Sequence, residues 1–199
     1  MSQKIVLASG NQGKLKELAD LLMDFDCNVV TQVELGVESA PETALTFVEN
    51  ALIKARHACE KTGLPAISDD SGLVVKALND APGVRSARFS GEAASDKNNI
   101  ELVLHQLTDV PSDERSAYFI SVCIFMRKVD DPCPIIATGI WHGQILLEPI
   151  GQFGFGYDPI FYVPTHHCSA AQLDPDIKNQ ISHRGLAMQQ LRRALQTLI

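Results

Sequence analysis

The chain opens with a short apolar run, Lys4-Ile5-Val6-Leu7-Ala8, that stops at Ser9-Gly10-Asn11, the pattern of a buried strand meeting a turn. Leu15, Leu18, Ala19 and Leu22 then recur at helical spacing and predict a helix from near Gln12, and residues 28–33 predict a second strand. A strand–turn–helix–strand opening points to an α/β fold. The clearest helix is predicted from Thr46 to Lys61. Phe47, Val48, Ala51, Leu52, Ala55, Ala58 and Cys59 form its apolar stripe, Asn50 and Lys54 share one edge as an i, i+4 pair, and Gly63-Leu64-Pro65 ends it.

Ala66 to Leu78 reads as two short strands around Asp69-Asp70-Ser71-Gly72, and the Gly-, Pro- and Ser-rich stretch from Ala81 to Ser95 as a surface loop. Ile100, Val103, Leu104 and Leu107 predict a helix over Asp96 to Leu107. Ser116 to Val129 and Pro134 to Leu147 are β-rich and predicted to be antiparallel neighbours. A Gly- and aromatic-rich stretch covers 151–164, and Leu191, Ala194, Leu195 and Leu198 predict a closing helix from about Ser182 to Thr197. There is no internal repeat, low-complexity segment or linker, so residues 1–199 are expected to form a single domain.

Composition narrows the class. The chain has 199 residues, 45% hydrophobic and 21% charged, which suits a globular protein with a sizeable core. Its net charge of −7 disfavours coating of nucleic acid, although a local basic pocket can still hold a phosphate. The 5 Cys include no C-x-x-C pair and read as reduced thiols, and His166, His167 and Cys168 lack partners at zinc-finger spacing. The apolar run at the start is too short for a signal segment or membrane span, so a cytoplasmic protein without membrane contact is expected.

Four clusters carry chemistry. Ser9-Gly10-Asn11-Gln12-Gly13-Lys14 lies between a strand and a helix, where free backbone N–H groups, the helix dipole and Lys14 suit phosphate; the alternative is an ordinary capped turn. It is not the G-x-x-x-x-G-K-[ST] loop. In Asp69-Asp70-Ser71-Gly72, adjacent carboxylates call for a neutralising cation. Mg²⁺ is the natural one, and a carboxylate there can also deprotonate an attacking water; a solvated β-turn is the competing reading. Glu42 precedes the Thr46–Lys61 helix as a second candidate metal ligand, and Lys54 on that helix can meet a phosphate or pair with the aspartates. In Gly154-Phe155-Gly156-Tyr157-Asp158-Pro159, an aromatic between glycines can present its face to a base, and Lys178, His183 and Arg184 can donate to a keto oxygen.

In this order and spacing the clusters resemble the inosine/xanthosine triphosphate pyrophosphatase family. The markers are Ser9-Gly10-Asn11 with Lys14, Thr46-Phe47-Val48-Glu49-Asn50-Ala51 with Lys54-Ala55, and Ser68-Asp69-Asp70-Ser71-Gly72-Leu73. Pro82-Gly83-Val84-Arg85-Ser86-Ala87-Arg88, Gly154 to Pro159 and Ser182-His183-Arg184 complete them. The resemblance implies an elongated, curved mixed β-sheet flanked by helices, two lobes around a deep substrate cleft, and a homodimer. It implies hydrolysis of ITP, dITP and XTP to the monophosphate and pyrophosphate. Asp70 would be general base and metal ligand, Glu42 the other ligand of Mg²⁺, and Asp69 a support. Residues 9 to 14, Lys54 and Ser71 would hold the triphosphate, and Phe155, Gly156, Tyr157, Asp158, Lys178, His183 and Arg184 would enclose the purine.

The chain departs from the family pattern at Pro41 and Ala44, where relatives carry an acid and a Gly. It also departs at His166-His167-Cys168-Ser169, in place of a Gly-Lys-Thr loop, and at Gln172, in place of a Glu. Two rivals remain on the residues alone: a nucleotide phosphatase or phosphoryl transferase, and a non-catalytic nucleotide sensor.

Overall fold

A computed structural model of the chain describes residues 3–9, 22, 23, 25 and 27–197. Among the described residues, seven strands form one mixed sheet in the order β2-β1-β3-β4-β5-β6-β7. They are β1 (Gln3–Leu7), β2 (Cys27–Thr31), β3 (Ala66–Val75), β4 (Ser116–Met126), β5 (Ile135–Ile145), β6 (Phe161–Val163) and β7 (Cys168–Ser169). The described α-helices are α1 (Phe47–Thr62), α2 (Asp96–Gln106), α3 (Pro175–Ile181) and α4 (His183–Gln196). β1 runs parallel to β2, with Ile5 opposite Val29, and parallel to β3, with Leu7 opposite Ile67. β6 is antiparallel to both β5 and β7. The open, mixed α/β sheet is the fold class expected, and β4 and β5 are neighbours in it. The predicted helix from Gln12 lies outside the described residues.

The chain divides into two compact units. The first comprises Met1–Asp70, Ser121–Gly139 and Leu186–Ile199, and the second Ser71–Ile120 and Ile140–Gly185. The first has its core around Ile5, Leu7, Ile67, Cys123, Phe125, Leu191 and Leu195. The second packs Leu73, Val103, Leu107, Phe119, Trp141, Ile160 and Phe161.

Two expectations are corrected. Ala66 to Leu78 is one ten-residue strand, Ala66–Val75, followed by a 3₁₀ turn, so Asp69-Asp70-Ser71-Gly72 is mid-strand and not a turn. Turn propensity loses to burial: both carboxylates are enclosed, and Ser68 Oγ donates to Ala51 O of α1 at 2.6 Å. The stretch after Ala81 is more than a surface loop. It contains a 3₁₀ run over Gly83–Arg88 whose Ser86 is buried and accepts the Leu73 N–H at 2.9 Å. Pro175–Ile181 forms the short α3, with Asp174 as N-cap and Pro175 in its first turn.

Candidate functional site

The acidic centre belongs to the first unit. Thr46 caps α1, its Oγ1 accepting the Glu49 N–H at 3.3 Å, and Gly63 closes the helix at φ 68° by donating to Cys59 O. The buried face of α1 is mostly small, with Ala51, Ala55 and Ala58, so the helix lies close to its neighbours and the Ser68–Ala51 bond links it directly to β3. This brings Lys54 to the acidic residues. Its Nζ donates to Glu42 Oε1 at 2.9 Å and to Asp70 Oδ1 at 3.2 Å. The Lys54 and Asp70 side chains are 12% and 10% exposed, and that of Glu42 is 29% exposed.

Glu42 is held there by a contact not foreseen from the sequence. Asn50 is fully buried; its Oδ1 accepts the Ala44 N–H at 2.9 Å and its Nδ2 donates to Ala44 O at 3.4 Å. The side chain acts as a surrogate peptide for the segment that carries Glu42. The helical spacing put Asn50 beside Lys54, and that edge was the available signal. Ala44 is not among the residues with positive φ, so its backbone does not require the Gly of the family pattern.

Burial pushes the Asp70 carboxyl above the ordinary carboxylate value; the Lys54 ammonium opposes the shift, and Glu42 adds to it. For Lys54, burial alone lowers the value, but attraction to Asp70, Glu42 and Asp69 together outweighs it and raises the ammonium above the ordinary lysine value. Asp69 precedes Asp70 in β3, is buried like it, and its charge also acts on Lys54. The pair that converges is Asp70 with Glu42, bridged by Lys54.

This donor set fits a hard divalent cation. Asp70 Oδ2 is buried and makes no hydrogen bond, which is costly for a carboxylate oxygen unless another group completes it. Among the described residues no three His, Cys, Asp or Glu side chains cluster, so an all-protein cage is absent there. One or two carboxylates completed by phosphate oxygens and waters is how Mg²⁺ is usually held. Ser9 lies two residues past the end of β1 and donates its N–H to Leu7 O at 2.8 Å, while Gly10, Asn11, Gln12, Gly13 and Lys14 lie outside the described residues.

The second unit holds the glycine–aromatic group. Gly154 and Gly156 have φ of 79° and 58°, and Phe155 between them is 64% exposed. Asp158 is buried; its Oδ2 accepts the Phe155 N–H at 2.9 Å and also pairs with Lys178 Nζ. That ammonium stands 5.3 Å from the centre of the Phe155 ring, a cation–π contact. A side chain at Gly154 would collide with the Asp158–Lys178 pair. Tyr157 is buried and donates its hydroxyl to Ser86 O at 2.8 Å, and burial lifts its phenol well above the ordinary tyrosine value.

His183 is buried at the start of α4 and stacks on Phe119, centroids 4.7 Å apart at 11°, with Trp141 next at 6.4 Å. Arg184 is half-buried, and Ser71 sits in β3 directly after Asp70. The structure thus brings together Asp70, Glu42 and Lys54 in one unit, and Phe155, Asp158 and Lys178 in the other. His166 and His167 occupy the turn between β6 and β7.

The Ham1 family model matches residues 5–194 of the chain. The dITP/XTP pyrophosphatase of Vibrio cholerae is 56% identical over 194 residues, covering 98% of this chain and 97% of that protein. The protein of the same name from Salmonella typhimurium is 56% identical over 193 residues, covering 97% and 98%. A solved structure, of a HAM1 protein from Coxiella burnetii, superposes with a TM-score of 0.95 at 51% identity and covers 98% of this chain and 99% of that one.

Proposed function

This chain belongs to the Ham1 family, and we propose that it hydrolyses non-canonical purine nucleoside triphosphates (dITP, ITP and XTP) to the monophosphate and pyrophosphate. The substrate class follows from the end-to-end identity with dITP/XTP pyrophosphatases. The observation that carries the chemistry is Asp70: a buried carboxylate raised above its ordinary value, one oxygen on Lys54 and the other uncommitted.

Asp70 acts as general base. It takes a proton from a water that attacks the α-phosphorus; the new P–O bond forms as the bond to the bridging oxygen of the β-phosphate breaks, and pyrophosphate leaves with that oxygen. Lys54 holds Asp70 and Glu42 in place and supplies positive charge toward the phosphates. Mg²⁺, held by Asp70 and Glu42, supplies charge neutralisation at the phosphate oxygens when bound. Asp69 supports this centre, and Ser71 and residues 9 to 14 bind the triphosphate.

Phe155, Gly156, Tyr157 and Asp158, with Lys178, His183 and Arg184, recognise the base. Donors at the purine six-position favour a keto oxygen and reject an amino group, which would leave buried donors unpaired. Asp158 and the Phe119–His183 stack give that group fixed rather than adaptable geometry. We further assign the protein to the cytoplasm as a homodimer; sedimentation of the purified chain at micromolar concentration tests the dimer.

The deciding experiment is a nucleotide panel with Mg²⁺, scored for both phosphate products. Pyrophosphate from ITP, dITP and XTP, with little from ATP, supports the assignment. Orthophosphate as first product would transfer the chain to the phosphatases, and tight ITP binding without turnover would make it a sensor.

A further inference from the structure

The glycines flanking Phe155 leave that stretch of backbone with little conformational preference of its own. Two successive amides in it are nevertheless held by carboxylates. Asp158 Oδ2 accepts the Phe155 N–H at 2.9 Å, and Asp96 Oδ2, from a residue 60 positions earlier, accepts the Gly156 N–H at 2.7 Å. Asp96 is the first residue of α2, directly after the N-cap Ser95.

The same helix also holds the 86–90 segment, against which Tyr157 is bonded. Asn99 is buried, and its Oδ1 accepts both the N–H and the hydroxyl of Ser90 at 2.8 Å. Its Nδ2 donates to Ser86 O at 3.3 Å and to Ala87 O at 3.2 Å. The Ser86 carbonyl is also the acceptor for the Tyr157 hydroxyl. Helix α2 therefore holds Gly156 directly through Asp96, and Tyr157 indirectly through Asn99 and Ser86. Neither Asp96 nor Asn99 has a part in the chemistry assigned above.

We propose that Asp96 is a positioning residue for base recognition: by fixing the Gly156 amide it sets the orientation in which Phe155 presents its exposed ring. This rests on the assignment of Phe155 to the base. A carboxylate accepting a backbone N–H makes a stronger bond than a neutral acceptor, and the loop it restrains has two glycines to absorb its loss. Removing it lets Phe155 sample other directions, which weakens substrate capture and leaves the phosphate chemistry of Asp70 untouched.

The test uses the full chain and five variants: Asp96→Ala, Asp96→Asn, Ser95→Ala, Phe155→Ala and the Asp96→Ala/Phe155→Ala double. Asp96→Ala is expected to raise KM for ITP about five- to tenfold with kcat nearly unchanged. Asp96→Asn keeps an oxygen acceptor and should recover most of the loss. Ser95→Ala removes the N-cap contact of the same helix, where Ser95 Oγ accepts the Asn98 N–H at 3.2 Å, and should leave KM unmoved. In the Phe155→Ala background, Asp96→Ala should add nothing, because the residue it acts through is gone.

An unchanged KM in Asp96→Ala, an equal rise in Ser95→Ala, or additive effects of the Asp96 and Phe155 changes would overturn the proposal. Hydrogen exchange at the Gly156 amide of the nucleotide-free protein separates this from the enzymatic assignment. It should quicken by about tenfold in Asp96→Ala and not in Ser95→Ala. A wild-type protein that leaves ITP intact sinks the enzymatic assignment alone, whereas unaltered Gly156 exchange in Asp96→Ala sinks the positioning role whatever the substrate.

Discussion

Asp70, the general base proposed here, is held at a thermodynamic disadvantage. Its carboxyl is raised in the folded chain, so the native state binds that proton more tightly than the unfolded state does. The contribution to stability is present below the ordinary carboxylate value and is lost as pH rises through the folded value. At pH 7 the ionised group therefore costs stability. Asp70→Asn, which mimics the protonated form, should unfold at an equal or higher temperature than wild type at pH 7, with the gap closing toward pH 3. The same variant should lose about 10²–10⁴-fold in kcat. A marked drop in melting temperature at pH 7 would mean that ionised Asp70 stabilises the fold.

Lys54 has the opposite sign. Its raised value is a stabilising contribution, fully present below the ordinary lysine value and lost as pH rises through the folded one. Lys54→Met leaves Asp70 and Glu42 facing each other without their cation, and should cost about 3 kcal/mol at neutral pH. Part of that loss should return as the solution is acidified and the carboxylates protonate, which denaturant titrations at pH 7 and pH 4.5 would read.

At the scale of elements, α1 matters most because it carries both Lys54 and the residue that anchors the Glu42 segment. Asn50→Ala removes both bonds to Ala44, leaving the Ala44 N–H and C=O without that partner. It should cost about 1–3 kcal/mol. It should also raise the Mg²⁺ concentration needed for half-maximal turnover, since Glu42 loses its fixed position and Asp70 loses the Asn50 amide that acts on it. Equal metal dependence in the variant would remove Glu42 from the metal site.

The course of α1 was legible in the sequence because its apolar stripe, Thr46 cap and Gly63 stop all agree. β3 was not, because Asp-Asp-Ser-Gly has the local chemistry of a turn. What makes it a strand is long-range: Lys54 for Asp70, Ala51 O for Ser68 and Ser86 for Leu73, contacts of 16, 17 and 13 positions. Helix α3, with seven residues, is too short for periodicity to register. The grip of Asp96 on Gly156 was invisible for the same reason as β3, since nothing local in either segment announces a bond across 60 positions. Motif chemistry thus pointed to Asp70, Glu42 and Lys54, which the fold brings together, whereas the contacts that aim them come from distant segments.

For the whole molecule, the relevant balance is charge. A chain of net charge −7 repels a free triphosphate at long range, so affinity has to come from local donors and a bound cation. Metal and nucleotide should then bind with strong mutual dependence: the cation lowers the charge of the ligand, and the ligand's phosphates complete a coordination shell that two carboxylates leave unfinished. A non-hydrolysable ITP analogue with Mg²⁺, at 100 times its dissociation constant, should stabilise the fold by about 2.7 kcal/mol. That corresponds to a rise of about 5–10 °C in melting temperature for a chain of this size.

Analogue with chelator, or Mg²⁺ alone, should each give only a small part of this shift. If Asp70 holds the cation as proposed, in Asp70→Asn the extra increment due to Mg²⁺ should shrink while the analogue's own contribution survives. A shift of equal size without metal would show that backbone and lysine donors suffice for the triphosphate. The role of Asp70 would then narrow to that of a base.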